Sequence, residues 1–413
     1  MPIVVQKYGG TSVGDAERIE RVAERVARTR EAGNDVVVVV SAMGETTDDL
    51  VQLATRITPV PEPRELDMLL TAGERIAMSL LAIAVNARGC KAASYTGSQA
   101  GIITDTQHGK AKIVDIRPGR IRESLEAGNV VILAGFQGLS TNYDITTLGR
   151  GGSDMTAVAM AAALGAGVCE IYTDVEGVFT ADPRIEPRAR KLDRISFLEM
   201  LELSAAGAKV LQLRSVEYAR RHHVRLHVRH SHLETEGTWV LEEDEIPMLE
   251  QALIRGVALD GEEAKVTLED VPDRPGVAAS IFKAVAAEGI SVDMIVQNVS
   301  REGRTDVSFT VPRSDLERID GLLRGTVTDV GALRYSTDDR IAKLSLVGAG
   351  MKTSPGIAAD MFDALAAEGI NIQMISTSSI RISCVIDRDD ADRAVRAVHQ
   401  RFGLDQAVLP DEG

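Results

Sequence analysis

The chain has 413 residues, enough for two or three domains of ordinary size, each with a core of its own. Aromatic residues make up only 3% of it, so that core rests on Ala, Val, Leu and Ile. A net charge of −15 argues against a nucleic-acid partner, while small anionic substrates remain open to a local cluster of Lys and Arg.

The first segment, Met1–Lys7, reads as a strand at once and lacks a signal-peptide pattern. Ile3–Gln6, Asp35–Ser41, Lys91–Tyr95, Val130–Ala134 and Cys169–Thr173 read as strands. Asp15–Ala32, Asp67–Asn86, Arg117–Glu126 and Thr156–Leu164 read as helices. Continuous apolar strands such as Val36–Val40 suit a sheet covered on both faces. Alternating strands and helices then give a three-layer α/β/α domain with a mostly parallel sheet over residues 1–250, whose ligands lie beyond the carboxyl ends of the strands. Five of the seven histidines fall between His222 and His232, where Val224, Leu226 and Val228 alternate with polar residues as in a half-buried strand. That pattern favours a strand over a metal site. No stretch approaches the roughly 20 uninterrupted apolar residues that span a bilayer. Cys90, Cys169 and Cys384 are odd in number and far apart, as in a reduced, cytoplasmic protein with buried thiols.

The rest of the chain repeats itself. Pro275–Ile290 returns as Pro355–Ile370 at an offset of 80 residues. Each copy follows a strand, Ala264–Val271 or Ala342–Val347, with a helix opening at Pro and ended by Gly. Strands Asp306–Val311 and Ile380–Ile386 and helices near Leu316–Leu323 and Ala391–Arg401 complete two ferredoxin-like βαββαβ modules, residues 264–338 and 341–413. A strand near Ala252–Ala258 is available to the second module, whose own last strand, Ala407–Leu409, is short. A duplicated small fold behind a larger α/β domain suggests either regulation or a dimerising appendage.

Five polar segments carry chemistry in the first domain. Lys7-Tyr8-Gly9-Gly10-Thr11-Ser12 is a glycine turn after the first strand; its lysine precedes the glycines, so it is not a Walker A loop. Its glycines would let backbone donors meet a phosphate, and Lys7 could follow a transferred charge. Ser41–Thr47 closes the second strand. Thr71–Arg75 sits in a helix where Glu74 lacks an i+4 lysine. Gly149-Arg150-Gly151-Gly152-Ser153-Asp154 precedes an alanine-rich helix, either as an anion site at its N-terminus or as a glycine turn with Ser153 or Asp154 as cap. Tyr172–Arg184 is rich in carboxylates that could sit near a metal–nucleotide, although turn chemistry alone explains Asp182-Pro183. No GxGxxG follows the first strand, which disfavours a dehydrogenase.

Taken in order, these five segments resemble the amino-acid kinase family in its aspartate kinase branch, and the tandem repeat resembles the paired ACT domains of such enzymes. The resemblance spans essentially the whole chain. It implies phosphorylation of the side-chain carboxylate of L-aspartate by ATP with Mg²⁺, giving 4-phospho-L-aspartate, the first step toward lysine, threonine, methionine and diaminopimelate. Lys7 would neutralise charge on the phosphoryl group, and Asp154 would orient Lys7. Arg150 would hold an aspartate carboxylate, with Gly151, Gly152, Ser153, Ser41 and Thr47 around the substrate and Glu74 facing its ammonium group. Tyr8, Gly9, Gly10, Thr173, Asp174, Phe179, Asp182, Arg184 and Lys209 match nucleotide-binding positions of the family. A substrate carboxylate with a pKa near ~4 is already a nucleophile, so no general base is required.

The paired ACT domains imply feedback by lysine, threonine or both, through Asp273, Arg274, Pro275, Gly276 and Val277, through Gln297 and Asn298, and through Asn371, Ile372 and Thr377. Many relatives carry a glutamate after the Ser-Thr-Ser triplet, where this chain has Ser379. The family pairs these modules across subunits, so a homo-oligomer is implied. Assembly with a separately translated copy of the C-terminal half, starting near Met248, is the other arrangement the resemblance allows. Another kinase of the superfamily and a non-catalytic amino-acid sensor are the rival readings.

Overall fold

The computed structural model describes residues 1–246, 253–298, 302–349, 351 and 354–406. Met248 and the short strand expected at Ala407–Leu409 lie outside the described residues. The chain forms two compact units. Residues 1–178, 191–204 and 209–248 make the first; residues 179–190, 205–208 and 249–413 make the second.

The first unit begins β1 (Ile3–Tyr8), α1 (Ala16–Glu31), β2 (Asp35–Val40), α2 (Thr46–Ile57) and α3 (Pro63–Ala87). Short strands β3 (Ala92–Tyr95), β4 (Ile102–Thr104) and β5 (Ile113–Ile116) lead to α4 (Gly119–Glu126). Then come β6 (Val130–Ala134), β7 (Gln137–Ser140), β8 (Ile145–Thr147), α5 (Gly152–Leu164) and β9 (Val168–Thr173). The unit closes with β10 (Arg194–Ser196), α6 (Phe197–Ala205), α7 (Leu213–Arg221), β11 (Leu226–His230) and β12 (Thr238–Leu241).

Eight strands make one sheet in the order β10-β12-β11-β9-β1-β2-β6-β3. From β11 through β3 every pairing is parallel; only β11–β12 is antiparallel. Val36–Val40 are wholly buried, as a sheet covered on both faces requires. Asp15 starts α1 by accepting the Arg18 N–H at 2.8 Å. Along α3, Leu70, Ala77, Leu81 and Val85 form the buried stripe, and Glu74 and Arg75 interrupt the apolar run. This helix is the one described element long and apolar enough to cross a membrane, and half of that stretch is buried in the fold.

Two features correct the expected alternation. An additional helix, α2, follows β2, and a second sheet, β5-β4-β7-β8, sits within the unit. Helix α5 also begins four residues earlier than expected. Gly151, with φ 73°, occupies its cap position and no side chain caps it, so Ser153 and Asp154 lie inside the first turn rather than capping it.

The second unit contains two four-stranded sheets. β14 (Glu263–Pro272), α8 (Val277–Ala287), β15 (Ile295–Gln297), β16 (Arg304–Pro312), α9 (Leu316–Val330) and β17 (Arg334–Asp338) form a βαββαβ module ordered β15-β16-β14-β17. In the other module β18 (Ile341–Ala349), α10 (Ile357–Ala367), β19 (Met374–Thr377), β20 (Arg381–Asp387) and α11 (Ala391–Arg401) are completed by β13 (Leu253–Asp260), in the order β13-β18-β20-β19. β13 runs antiparallel to β18 in the place that β17 takes beside β14. An upstream strand thus fills the fourth position. Helices α8 and α10 open after Gly276 and Gly356, both left-handed, and not at the prolines.

Candidate active site

Parallel strands bring their carboxyl ends to one edge, and backbone bonds continue past that edge. Ser41 N–H donates to Tyr8 O at 3.1 Å, Gly9 N–H to Tyr172 O at 3.3 Å, and Gly135 N–H to Val40 O at 3.0 Å. The turns after β1, β2, β6 and β9 therefore form one rim. Lys7 stands one residue before the end of β1 with its ammonium 2.6 Å from Asp154 Oδ1, side chains 13% and 9% exposed. The contact is a close charge pair and is not aligned as a hydrogen bond. Asp154 reaches it from the first turn of α5.

The space before Lys7 is kept clear by glycine. A Cβ on Gly9 would come 3.6 Å from Lys7 Nζ and narrow the approach to that ammonium group. The first turn of α5 lacks a side-chain cap: Gly152 N–H turns back to Gly149 O at 2.9 Å, and no capping side chain covers the Ser153 and Asp154 N–H groups, an arrangement suited to an anion. Behind the rim, Tyr8 and Tyr172 stack with ring centres 4.7 Å apart. Tyr172 donates to Glu170 at 3.0 Å, Gln6 donates to Glu170 at 2.8 Å, and Arg229 closes the cluster at 3.1 Å. Burial, then the Glu170 charge, pushes the Tyr172 hydroxyl up to about 12, so it remains a neutral donor. Burial also holds the Cys169 thiol well above its usual value, with Asp154 and Glu170 adding to it.

Glu74 is the unusual carboxylate. It is 3% exposed on α3; its Oε1 accepts the Ala42 N–H at 3.2 Å, while Oε2 is buried with no hydrogen-bond partner. Burial pushes its carboxyl up to about 7, against a smaller lowering by backbone donors. A buried acid with one idle oxygen fits an incoming ammonium group. Ala42 links Glu74 to the Ser41–Thr47 turn. Ser41 and Thr47 are half-buried there, Thr47 in the first turn of α2.

The structure thus brings together Lys7, Gly9, Gly10, Ser41, Glu74, Ser153 and Asp154. Arg150 is exposed on the turn between β8 and α5, flanked by Gly149 and Gly151, and Gly152 is buried at the start of α5. Thr173 ends β9, and Asp174 follows it, exposed. The Tyr172–Arg184 segment is divided, because Phe179, Asp182 and Arg184 belong to the second unit. There Arg184 Nη2 donates to Asp182 Oδ2 at 2.6 Å. Lys209 is exposed in the turn after α6. Asp273, Arg274, Pro275 and Gly276 are exposed and Val277 buried at the start of α8; Gln297 ends β15 and Asn298 follows it. Asn371, Ile372 and Thr377 lie in the other module.

Sequence reasoning passed over Asp67, His108, Thr147 and Arg214. Asp67 is a carboxylate on the buried face of α3, seven residues before Glu74, and that spacing was the available signal.

Residues 2–230 match the amino acid kinase family model, and residues 266–325 and 344–402 match ACT domain models. Aspartokinase of Mycolicibacterium smegmatis is 56% identical, covering 99% of both chains. Aspartokinase III of E. coli in complex with aspartate and ADP is 27% identical with a TM-score of 0.82, covering 97% of this chain and 99% of that one. The same enzyme in complex with lysine and aspartate gives a TM-score of 0.72 over the same coverage.

Proposed function

The chain belongs to the amino acid kinase family, among the aspartokinases with two ACT domains, and we propose that it transfers the γ-phosphoryl group of ATP to the side-chain carboxylate of L-aspartate. The observation that carries this reading is the Lys7–Asp154 pair at 2.6 Å, set between a glycine turn and an uncapped helix N-terminus.

Aspartate arrives ionised, so one carboxylate oxygen attacks the γ-phosphorus directly. The bond from that phosphorus to the bridging oxygen breaks, and ADP leaves with the electron pair; no proton need move. The obstacle is the meeting of two anions, and positioning with electrostatic stabilisation supplies the catalysis. Lys7 neutralises the phosphoryl oxygens, and Asp154 holds the Lys7 ammonium in place. Gly9 and Gly10 leave room for the phosphates beside Tyr8, with Thr173, Asp174 and Lys209 as further nucleotide contacts. Glu74 receives the substrate ammonium, and Arg150 its α-carboxylate, with Ser41, Thr47, Gly151, Gly152 and Ser153 enclosing it. No group of three or more His, Cys, Asp or Glu side chains suited to a metal occurs among the described residues. Mg²⁺ bound with the nucleotide would supply further charge neutralisation.

Lysine, threonine or both would act on the ACT modules at Asp273–Val277, Gln297–Asn298 and Asn371–Thr377. The complex of E. coli aspartokinase III with lysine supports that reading. Assembly would be as a homo-oligomer or with a separately translated C-terminal half.

An aspartyl-hydroxamate assay with ATP and Mg²⁺ tests the activity, repeated with lysine, threonine and their mixture. Hydroxamate should form, and Lys7→Ala and Asp154→Ala should abolish it with circular dichroism unchanged. No product under any effector condition would defeat the activity, and near-normal turnover of either variant would defeat the roles assigned.

A further inference from the structure

Asp67 is 1% exposed on α3, yet it gathers contacts from two other segments. Its Oδ2 lies 2.6 Å from His108 Nδ1, both carboxylate oxygens accept the Gly109 N–H at 3.1 Å, and Thr147 Oγ1 donates to Oδ1 at 2.5 Å. Thr147 ends β8, three residues before Arg150. Gly109 lies against the same turn: a Cβ on Gly149, whose φ is +77°, would come 3.0 Å from Gly109 O and 3.5 Å from Lys110 Cα. Arg214 fastens the turn independently, donating to Leu148 O at 3.1 Å and to Ala111 O at 3.4 Å, while Ala111 N–H donates to Thr147 O at 2.9 Å.

We propose that Asp67 is a positioning residue that fixes the Arg150 turn relative to Glu74 and so sets selectivity for the length of the amino-acid substrate. The inference rests on the reading above, in which Glu74 holds the ammonium and Arg150 the α-carboxylate. Both ends of that grip then depend on one rod, because Asp67 and Glu74 are seven residues apart on α3. Two helical turns separate them, about 10 Å of rise on the same face. A helix does not stretch, so the turn tied to Asp67 cannot drift from the carboxylate at Glu74. A site with fixed ends separates aspartate from glutamate, one methylene longer, by where it leaves the reacting carboxylate.

The test compares Asp67→Asn, Thr147→Val and Thr147→Ser with the wild type, with Arg150→Ala as control. Asp67→Asn and Thr147→Val should raise KM for aspartate by about tenfold or more, while KM for ATP stays within about twofold. Their preference for aspartate over glutamate in kcat/KM should fall by a similar factor. Thr147→Ser keeps the hydroxyl and should restore wild-type values. Equal rises in both KM values, or a loss of thermal stability with both unchanged, would overturn the inference. If Asp67→Asn does not fold, the Thr147 pair decides. A raised KM for aspartate in Arg150→Ala, with the other variants unaffected, would overturn the positioning role alone; an unaffected Arg150→Ala would overturn the underlying reading.

Discussion

Replacing Glu74 by glutamine separates what this acid costs the fold from what it does for binding. Burial lifts its carboxyl from 4.5 to about 7. Below pH 4.5 the acid is neutral in both folded and unfolded chains and carries no charge penalty. Between pH 4.5 and 7 the unfolded chain gives up the proton and the folded one keeps it, so stability falls as pH rises. Above pH 7 the full cost applies, about 3 kcal/mol from the size of the shift. Glutamine resembles the protonated acid at every pH, with the same idle buried polar atom at the Oε2 position.

The stability difference between Glu74→Gln and wild type should therefore be near zero at pH 4.5 and grow to about 3 kcal/mol in favour of the variant by pH 8.5. Urea unfolding over that range, with and without saturating aspartate, measures it. Aspartate should narrow the gap, since its ammonium group compensates the buried carboxylate. The same variant should raise KM for aspartate by about 10- to 100-fold, the worth of one charged hydrogen bond. Wild-type KM for aspartate should rise as pH falls through 7, because Glu74 must lose its proton to bind. A stability difference independent of pH, or an unchanged KM, would refute the reasoning.

A Cβ on Gly10 would sit 2.8 Å from Ala42 O and 3.0 Å from Gly44 O, both backbone atoms. Gly10→Ala should therefore displace the Ser41–Thr47 turn and cut kcat/KM by about 100-fold or more with secondary structure retained, as steady-state kinetics and circular dichroism would show. In the second unit, Lys343 is 1% exposed, with its ammonium 2.8 Å from Glu263 and 2.5 Å from Asp293. Lys343→Met strands both carboxylates and should cost about 3–5 kcal/mol in urea unfolding at neutral pH. The loss should shrink at acid pH, because burial already raises the Glu263 carboxyl and protonation removes its charge.

Much of the fold was legible where the pattern was long. Val36–Val40 announces a doubly covered strand, and the Pro275 and Pro355 repeat announces the twin modules. Short elements were not legible: β4, β7 and β8 have three or four residues, too few to show a period. The fourth strand of the second module was open in the sequence, because β13 precedes a whole intervening module before it pairs with β18. Lys7 and Asp154 carry a local signal, a charge beside a glycine turn. Asp67 offers only its seven-residue spacing from Glu74: at the edge of the expected helix it reads as an ordinary acid near an N-terminus, and its value comes from His108, Gly109 and Thr147, distant in the sequence.

Gly149–Asp154 shows why a local motif admits two meanings until its neighbours are placed. A cap would satisfy the first-turn N–H groups of α5 and close them to a ligand. Gly151 brings no side chain to them, and only glycine suits that position: a Cβ would come 2.0 Å from Gln212 Cγ, and φ is +73°. Asp154, freed from capping, turns instead to Lys7. A helix end without a capping side chain and an idle oxygen on Glu74 are both costs that a purely structural sequence would remove. They carry opposite sign, and in the function proposed above they would suit the α-carboxylate and the ammonium group of the same aspartate. Stability forgone at paired, complementary positions is what separates a binding site from a turn.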